Sequence, residues 1–361
     1  MPTELTRREA LRACGLVATG GIAVGRGSAA VSGSAADAAT ANRRFVPSDH
    51  GFGFRNWGST SRYFEEPAAP PTAEVRALVR REWREEATTT LGIDTTGLPR
   101  GVTDALARQL RASVAQRAGT NGHCYGMVLT AQRYFEDPEA IPVDRRLASE
   151  IESPIVPIEE PAAPVYEEIV QRQADQFLKF RAFVGRRVIL YRDWIDTAAV
   201  LRDVRDVIDA FGTAAIILFN GSMFSHQVLA YDFRERDDGV VIPIYDPNRP
   251  APAYRRDAPV LRFERDGTSV SMRPYGRYTG VLFSRYDRIE AATDRDRAGP
   301  IDHVTVDRER LRESLFPHAL IVATTEDVDL AVAGPADRRV RRLRGEYTDV
   351  TRGEYSRVCS R

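Results

Sequence analysis

The sequence predicts an α+β protein, with helices gathered in its first half and short apolar strands in its second. Three observations carry this. Apolar residues recur at helical spacing through residues 72–136 and again through 197–211. Two apolar runs, "TAAIILF" and "VVIPIYDPNRP", flank a third, "HQVLAYDF", with the turn signal "RERDDG" between the last two. The stretch "NGHCYGM", residues 121–127, sets a cysteine among glycines where a loop becomes a helix.

Composition narrows the classes. A chain of 361 residues, 43% hydrophobic, can bury a sizeable core in one large or two small domains. Its 51 basic and 51 acidic residues cancel, so no global charge directs it to nucleic acid or to an anionic membrane surface. Lys179 is the only lysine, which reads as the codon bias of a GC-rich genome. Three widely spaced cysteines make no disulfide framework, and no CxxC or Cys/His cluster offers a metal site. GxGxxG and HExxH are absent, and the serine of "NGSMF" lacks a nucleophile elbow. The expectation is therefore no cofactor and no metal.

Residues 1–30 read as an address. "TRREALRACGLVATGGIAVG" places Arg7 and Arg8 ahead of an apolar stretch, Ala13 to Gly25, too short to span a bilayer comfortably. It resembles a twin-arginine export signal. The resemblance implies a secreted or cell-surface, extracytoplasmic protein with no transmembrane span once the signal is removed. Cleavage is expected near Ser28-Ala29-Ala30 or Ala36-Asp37-Ala38, with Cys14 lost. Residues 31–44 are small and polar and predict a disordered linker.

Residues 45–100 predict an aromatic arm followed by a helix. "FVPSDHGFGFRNWGSTSRYF" carries rings among glycines without a period, which suits an extended arm laid on a core. Val75, Leu78, Val79 and Trp83 then share a helix face, and Val102, Leu106, Leu110 and Val114 share another. From Cys124, the residues Met127, Val128, Ala131, Tyr134 and Phe135 mark a third helix that stops at Asp137-Pro138. Cys124 falls in its first turn. Unpaired backbone N–H groups and the helix dipole there favour an anion, lowering a thiol's pKa and leaving donors for an oxyanion. Gly122 permits a tight turn, and Gly126 leaves room beside the sulfur. A buried small hydrophobe is the competing reading.

A nucleophilic thiol needs a base. His123 is adjacent to Cys124 but points to another helix face, His50 lies in the arm, and His303 and His318 lie in a late region with no other suggestive residues. His226 opens the strand "HQVLAYDF". A hairpin centred near residues 236 and 237 sets it opposite residues 246–249, which include Asp246 and Asn248. Either could hold the imidazole by a hydrogen bond, and both could equally serve the turn of "DPN". Asp246 follows the apolar strand directly and is the preferred partner; Asn248 is the alternative.

"HCYGM", "SHQVLAY" and "IYDPNRP", in that order, resemble papain-like cysteine peptidases, and within them a divergent secreted microbial branch with a C-x-G-M helix, an H-x-V-x-A-Y strand and a Y-D-P-N turn. The resemblance covers about residues 100–290. It implies a helical part carrying Cys124 packed on an antiparallel sheet carrying His226. It also implies Cys124 as nucleophile, His226 as general base and acid, Asp246 or Asn248 as the orienting residue, and a peptide or protein substrate. Three features depart from the pattern, one of them a His226-to-Asp246 spacing longer than papain's, which fits a longer hairpin. The family often places an oxyanion glutamine six residues before the cysteine, where this chain has Ala118; Gln116 and Asn121 are the nearby substitutes. Tyr125 stands where tryptophan is common. The domain is expected over 101–290, and a small β-rich module over 300–361 that rests on it or contacts a cell surface. Cys359 lies in the polar tail "YSRVCSR", and a disulfide to it would consume the nucleophile. Three classes follow: a thiol hydrolase of peptide or other amide bonds, an acyl transferase (transamidation) on the same residues, or a non-catalytic surface or adhesion protein.

Overall fold

A computed structural model describes residues 44–58, 70–91, 100–120, 122–154, 163–222, 224–266 and 269–284, together with the strands within 332–359. The expected signal, nearly all of the linker, Asn121, His303 and His318 lie outside the described residues.

The architecture is α+β, helices followed by an antiparallel sheet. After a four-residue turn of helix, α1 (Pro47–His50), the chain forms α2 (Thr72–Leu78), which passes through a π-helical turn, Val79–Trp83, into α3 (Arg84–Leu91). Then come α4 (Arg100–Arg117), α5 (Cys124–Glu136), α6 (Ala163–Leu178), α7 (Phe180–Val188) and α8 (Thr197–Phe211). Helix α8 is bounded by local chemistry: Asp196 caps its start by accepting from the Ala199 N–H, and Gly212, at φ +75°, ends it in the left-handed conformation.

The strands are β1 (Ala214–Phe219), β2 (Ser225–Ala230), β3 (Arg234–Arg236), β4 (Gly239–Tyr245), β5 (Val260–Asp266), β6 (Ser269–Met272) and β7 (Gly280–Phe283). They run β6-β5-β4-β2-β1-β7, with β3 added to β4. Strands β1, β2, β4 and β7 are almost entirely buried, which is why their sequences read as continuous apolar runs rather than as alternation.

The hairpin anticipated around residues 236 and 237 is broken. β4 pairs first with β3 and reaches β2 only at Leu229–Tyr245 and Ala230–Ile244. That short pairing still fixes the site: continued by three residues, its register sets Asn248 level with His226.

Two apolar cores flank the sheet. One joins α2, α4 and α6–α8 to one face, through Trp83, Leu110, Phe180, Val204 and Leu218 among others. The other holds α5 against Ala215 and Leu229 and is sealed by the arm. Phe45 and Phe52 are fully buried there, each worth roughly 1.5–3 kcal/mol of burial. Backbone bonds fasten the arm: the Ala251 N–H to the Phe52 carbonyl (2.8 Å) and the Asn56 N–H to the Pro247 carbonyl (2.7 Å).

Gly126 does something other than leave room for sulfur. A side chain there would meet the Ile169 carbonyl at 2.0 Å, so this glycine permits the close crossing of α5 and α6.

At the C-terminal end, Val332–Gly334, Arg338–Leu343, Glu346–Thr351 and Glu354–Cys359 form a separate antiparallel meander, β8 to β11. Cys359 therefore ends a strand, not a polar tail. Among the described residues no helix is long and apolar enough to cross a membrane.

Candidate active site

Cys124 is the first residue of α5, reached through a loop in which Gly119 and Gly122 have φ of +83° and +114°. His226 lies near the start of β2, and Asp246 follows β4 immediately. Helix and sheet thus bring three residues far apart in sequence to one cleft of about 310 Å³, which Cys124, His226 and Asn248 line. His226 and Asp246 are 4% and 5% exposed, while Cys124 is partly open to the cleft.

The imidazole is held from both sides. His226 Nε2 lies 2.8 Å from Asp246 Oδ1, and its ring also lies close enough to the Cys124 thiol for the two to shift each other's protonation. Since Nε2 faces Asp246, Nδ1 is the nitrogen left for sulfur. Tyr278 stacks on the ring, with centroids 5.8 Å apart and planes 19° apart.

Asp246 is itself fully engaged. Oδ1 also accepts the Asn248 N–H (2.9 Å), and Oδ2 accepts the Tyr275 hydroxyl (2.9 Å). The Tyr254 hydroxyl bonds the Asp246 backbone N–H and carbonyl at 2.6 and 2.9 Å. Turn chemistry and imidazole support are therefore combined in one carboxylate.

Asn248 is also close, with Nδ2 3.1 Å from Nε2. A chain of amides fixes which way it faces. The His123 N–H must donate, and it does so to Asn56 Oδ1 (2.7 Å). That leaves Asn56 Nδ2 to donate to Asn248 Oδ1 (3.0 Å), which turns the Asn248 N–H groups toward the ring. An N–H cannot accept from an imidazole N–H. When Nε2 carries its proton, Asp246 is the acceptor.

The electrostatics follow from these contacts. Burial opposes a charged imidazole, but the Asp246 hydrogen bond and the Cys124 sulfur outweigh it and push the His226 pKa up to about 10. Burial also opposes a thiolate at Cys124. The His226 hydrogen bond and charge, with backbone N–H groups of Gln227 and Tyr125, outweigh it and bring the thiol below its usual 9.0. Asp246, against burial, is held below the ordinary carboxylate range by His226, the Asn248 N–H and Tyr275. Each shift favours the charged form.

Of the two oxyanion side chains expected from sequence, the one described, Gln116, is not brought to the cleft. Gln116 is exposed on α4 and does not line the cleft, because the last turn of that helix aims it at solvent. Asn121 lies outside the described residues. Asn56 lines the cleft instead, beside Gly122; a side chain at Gly122 would meet its amide nitrogen at 2.6 Å. His123 is buried, stacked on Trp57 at 4.4 Å and donating from Nδ1 to the Trp57 carbonyl (2.9 Å), away from this chemistry. His50 accepts the Val46 N–H within the arm.

Asn56, Tyr254, Tyr275, Tyr278 and Gln173, whose Oε1 accepts the Gly126 N–H at 3.0 Å, were not legible as site residues from the sequence. The one available signal was "YGRY", where two tyrosines bracket a glycine turn. Among the described residues no group of His, Cys, Asp and Glu could hold a metal ion. No protein-family model, curated protein or solved structure matches the chain.

Proposed function

We propose that the protein is a papain-like thiol hydrolase of peptide or other amide bonds, with Cys124 as nucleophile, His226 as general base and acid, and Asp246 as the orienting carboxylate. The observation that carries this reading is His226 held between the Cys124 sulfur and the Asp246 carboxylate, in a cleft large enough for a peptide segment.

The resting pair is a thiolate and an imidazolium. The sulfur attacks the amide carbonyl carbon, and the C=O electrons move to oxygen. For that oxyanion we assign the Cys124 N–H, which the helix start leaves without an intrahelical partner, and the Asn56 amide. The imidazolium gives its Nδ1 proton to the leaving nitrogen, the C–N bond breaks, and a thioester and a free amine result. His226, now neutral, takes a proton from water as hydroxide attacks the thioester. The C–S bond breaks, the acid product leaves, and the ion pair is restored. Throughout, Asp246 accepts from Nε2, which fixes the tautomer that keeps Nδ1 for the reacting side. Export through a twin-arginine signal completes the proposed setting.

A dipeptidyl vinyl sulfone tests the reading. We expect an adduct on Cys124 at pH 6 that His226→Ala abolishes. A native chain that leaves Cys124 unlabelled, while the unfolded chain reacts, would count against it.

A further inference from the structure

The walls of the cleft have a sign. Among the described residues four arginines line it, Arg117, Arg181, Arg186 and Arg277, and no aspartate or glutamate does, although acids and bases are equal in number over the chain. Two of the four are engaged locally. Arg181 pairs with Glu86 at 2.7 Å, and Arg186 lies over the Phe177 ring at 4.0 Å.

Arg117 and Arg277 are different. Both are exposed, and among the described residues neither has a carboxylate within ion-pair distance. They approach from opposite sides. Arg117 ends α4, on the side whose loop leads to Cys124. Arg277 sits at the tip of the turn between the bridged Tyr275 and Tyr278, on the His226 side. Its guanidinium rests 5.2 Å from the Phe224 ring and 5.4 Å from the Tyr278 ring, with one 3.3 Å contact to the Tyr278 hydroxyl. Aromatic support orders the side chain while its remaining N–H groups meet no acceptor among the described residues, the arrangement suited to forked recognition of a carboxylate. A cleft lined by one sign of charge between low-dielectric walls concentrates ligands of the other sign.

We propose that this cleft selects carboxylate-bearing amides, in which an Asp or Glu side chain or a free C-terminal carboxylate lies within about two residues of the bond attacked, roughly 7 Å of extended chain. The proposal rests on the thiol-hydrolase reading of the same site, and the experiment separates the two.

Cys124 of the full-length protein is alkylated with anionic iodoacetate and with neutral iodoacetamide, and the rates are read by peptide mapping. The iodoacetate-to-iodoacetamide ratio is normalised to the same cysteine in the urea-unfolded chain. We expect the native ratio to exceed the unfolded one by about fivefold or more. Arg117→Gln and Arg277→Gln should each lower it about two- to threefold, and 0.5 M NaCl should lower it similarly. The charge-matched Arg236→Gln, on exposed β3, should leave it unchanged. A native ratio at or below the unfolded one, or one that neither variant moves, overturns the proposal. The ratio reads charge whether or not the thiol is activated; equal slowness of both reagents at pH 6 instead counts against the hydrolase reading alone. Protection of Cys124 from iodoacetamide by three hexapeptides then identifies the source of the carboxylate. An amidated Glu peptide that protects assigns a side chain, and a free-acid Gln peptide assigns a terminus. An amidated Lys peptide that protects as well as either, or no protection from the acidic pair, overturns the proposal.

Discussion

Asp246→Asn isolates the charge of the residue that orients His226. An asparagine there can still accept from Nε2 and from the Asn248 N–H, so the turn and the fold should persist. What goes is the negative charge 2.8 Å from a buried imidazolium. A hydrogen bond to a charged group contributes about 1.5–3 kcal/mol, and the amide retains part of it. We set the loss at about 1.4–2.8 kcal/mol, which is about ten- to hundredfold in the protonation equilibrium of His226. Wild-type His226 should titrate near pH 10. In the variant its midpoint should fall by about one to two pH units. With five histidines in the chain, the imidazole resonance of His226 can be followed by NMR after assignment with His226→Ala. Asn248→Ala should leave the midpoint within a few tenths, since its amide presents donors to the ring. The reasoning is refuted if Asn248→Ala lowers the midpoint and Asp246→Asn does not.

Three other outcomes follow from contacts already described. Gly126→Ala should destabilise the fold by about 1–3 kcal/mol in urea unfolding, because its methyl meets the Ile169 carbonyl and backbone must move; an unchanged midpoint contradicts the helix crossing described. Asn56→Ala strands the His123 N–H and Asn248 Oδ1, and should cost about 1–3 kcal/mol of stability while slowing amide hydrolysis more than it weakens substrate binding; normal turnover would remove Asn56 from the oxyanion assignment. The His226–Asp246 pair should also show in stability against pH. The raised His226 pKa contributes fully below its unfolded 6.5 and is lost as pH climbs to about 10, and the depressed Asp246 contributes above 3.8 and is lost below it. The gap in Tm between wild type and Asp246→Asn should therefore be widest between about pH 4 and 6.5 and narrow by pH 10; a constant gap contradicts the pairing.

The sequence carried the succession of helices and then strands because burial writes it directly. Val75, Val79 and Trp83 are buried on one helix face, and "AAIILF" and "GVVIPIY" are strands buried on both sides. The approach of "DPN" to His226 was legible too, since register arithmetic needs only the turn between two strands, and the detour through β3 shifts the pairing by just one residue. Other features had no such signature. Helices α6 and α7 drew no reading of their own, so Gln173, Arg181 and Arg186 went unseen until packing on α5 showed them. Asn56 sits 68 residues before Cys124 in an aromatic arm with no period, and only tertiary hydrogen bonds reveal its place. Gly126 shows a different limit. A glycine two residues after a cysteine suggested space for chemistry, but its use is a helix contact that depends on a segment distant in sequence.

The central claim is that Cys124 rests as a thiolate paired with His226. Thiolate absorbance at 240 nm, taken as the difference between the full-length protein and Cys124→Ser, measures it across pH. The account predicts a midpoint below 9.0 that moves back up in His226→Ala. A midpoint at or above 9.0, or one that His226→Ala leaves in place, would contradict it.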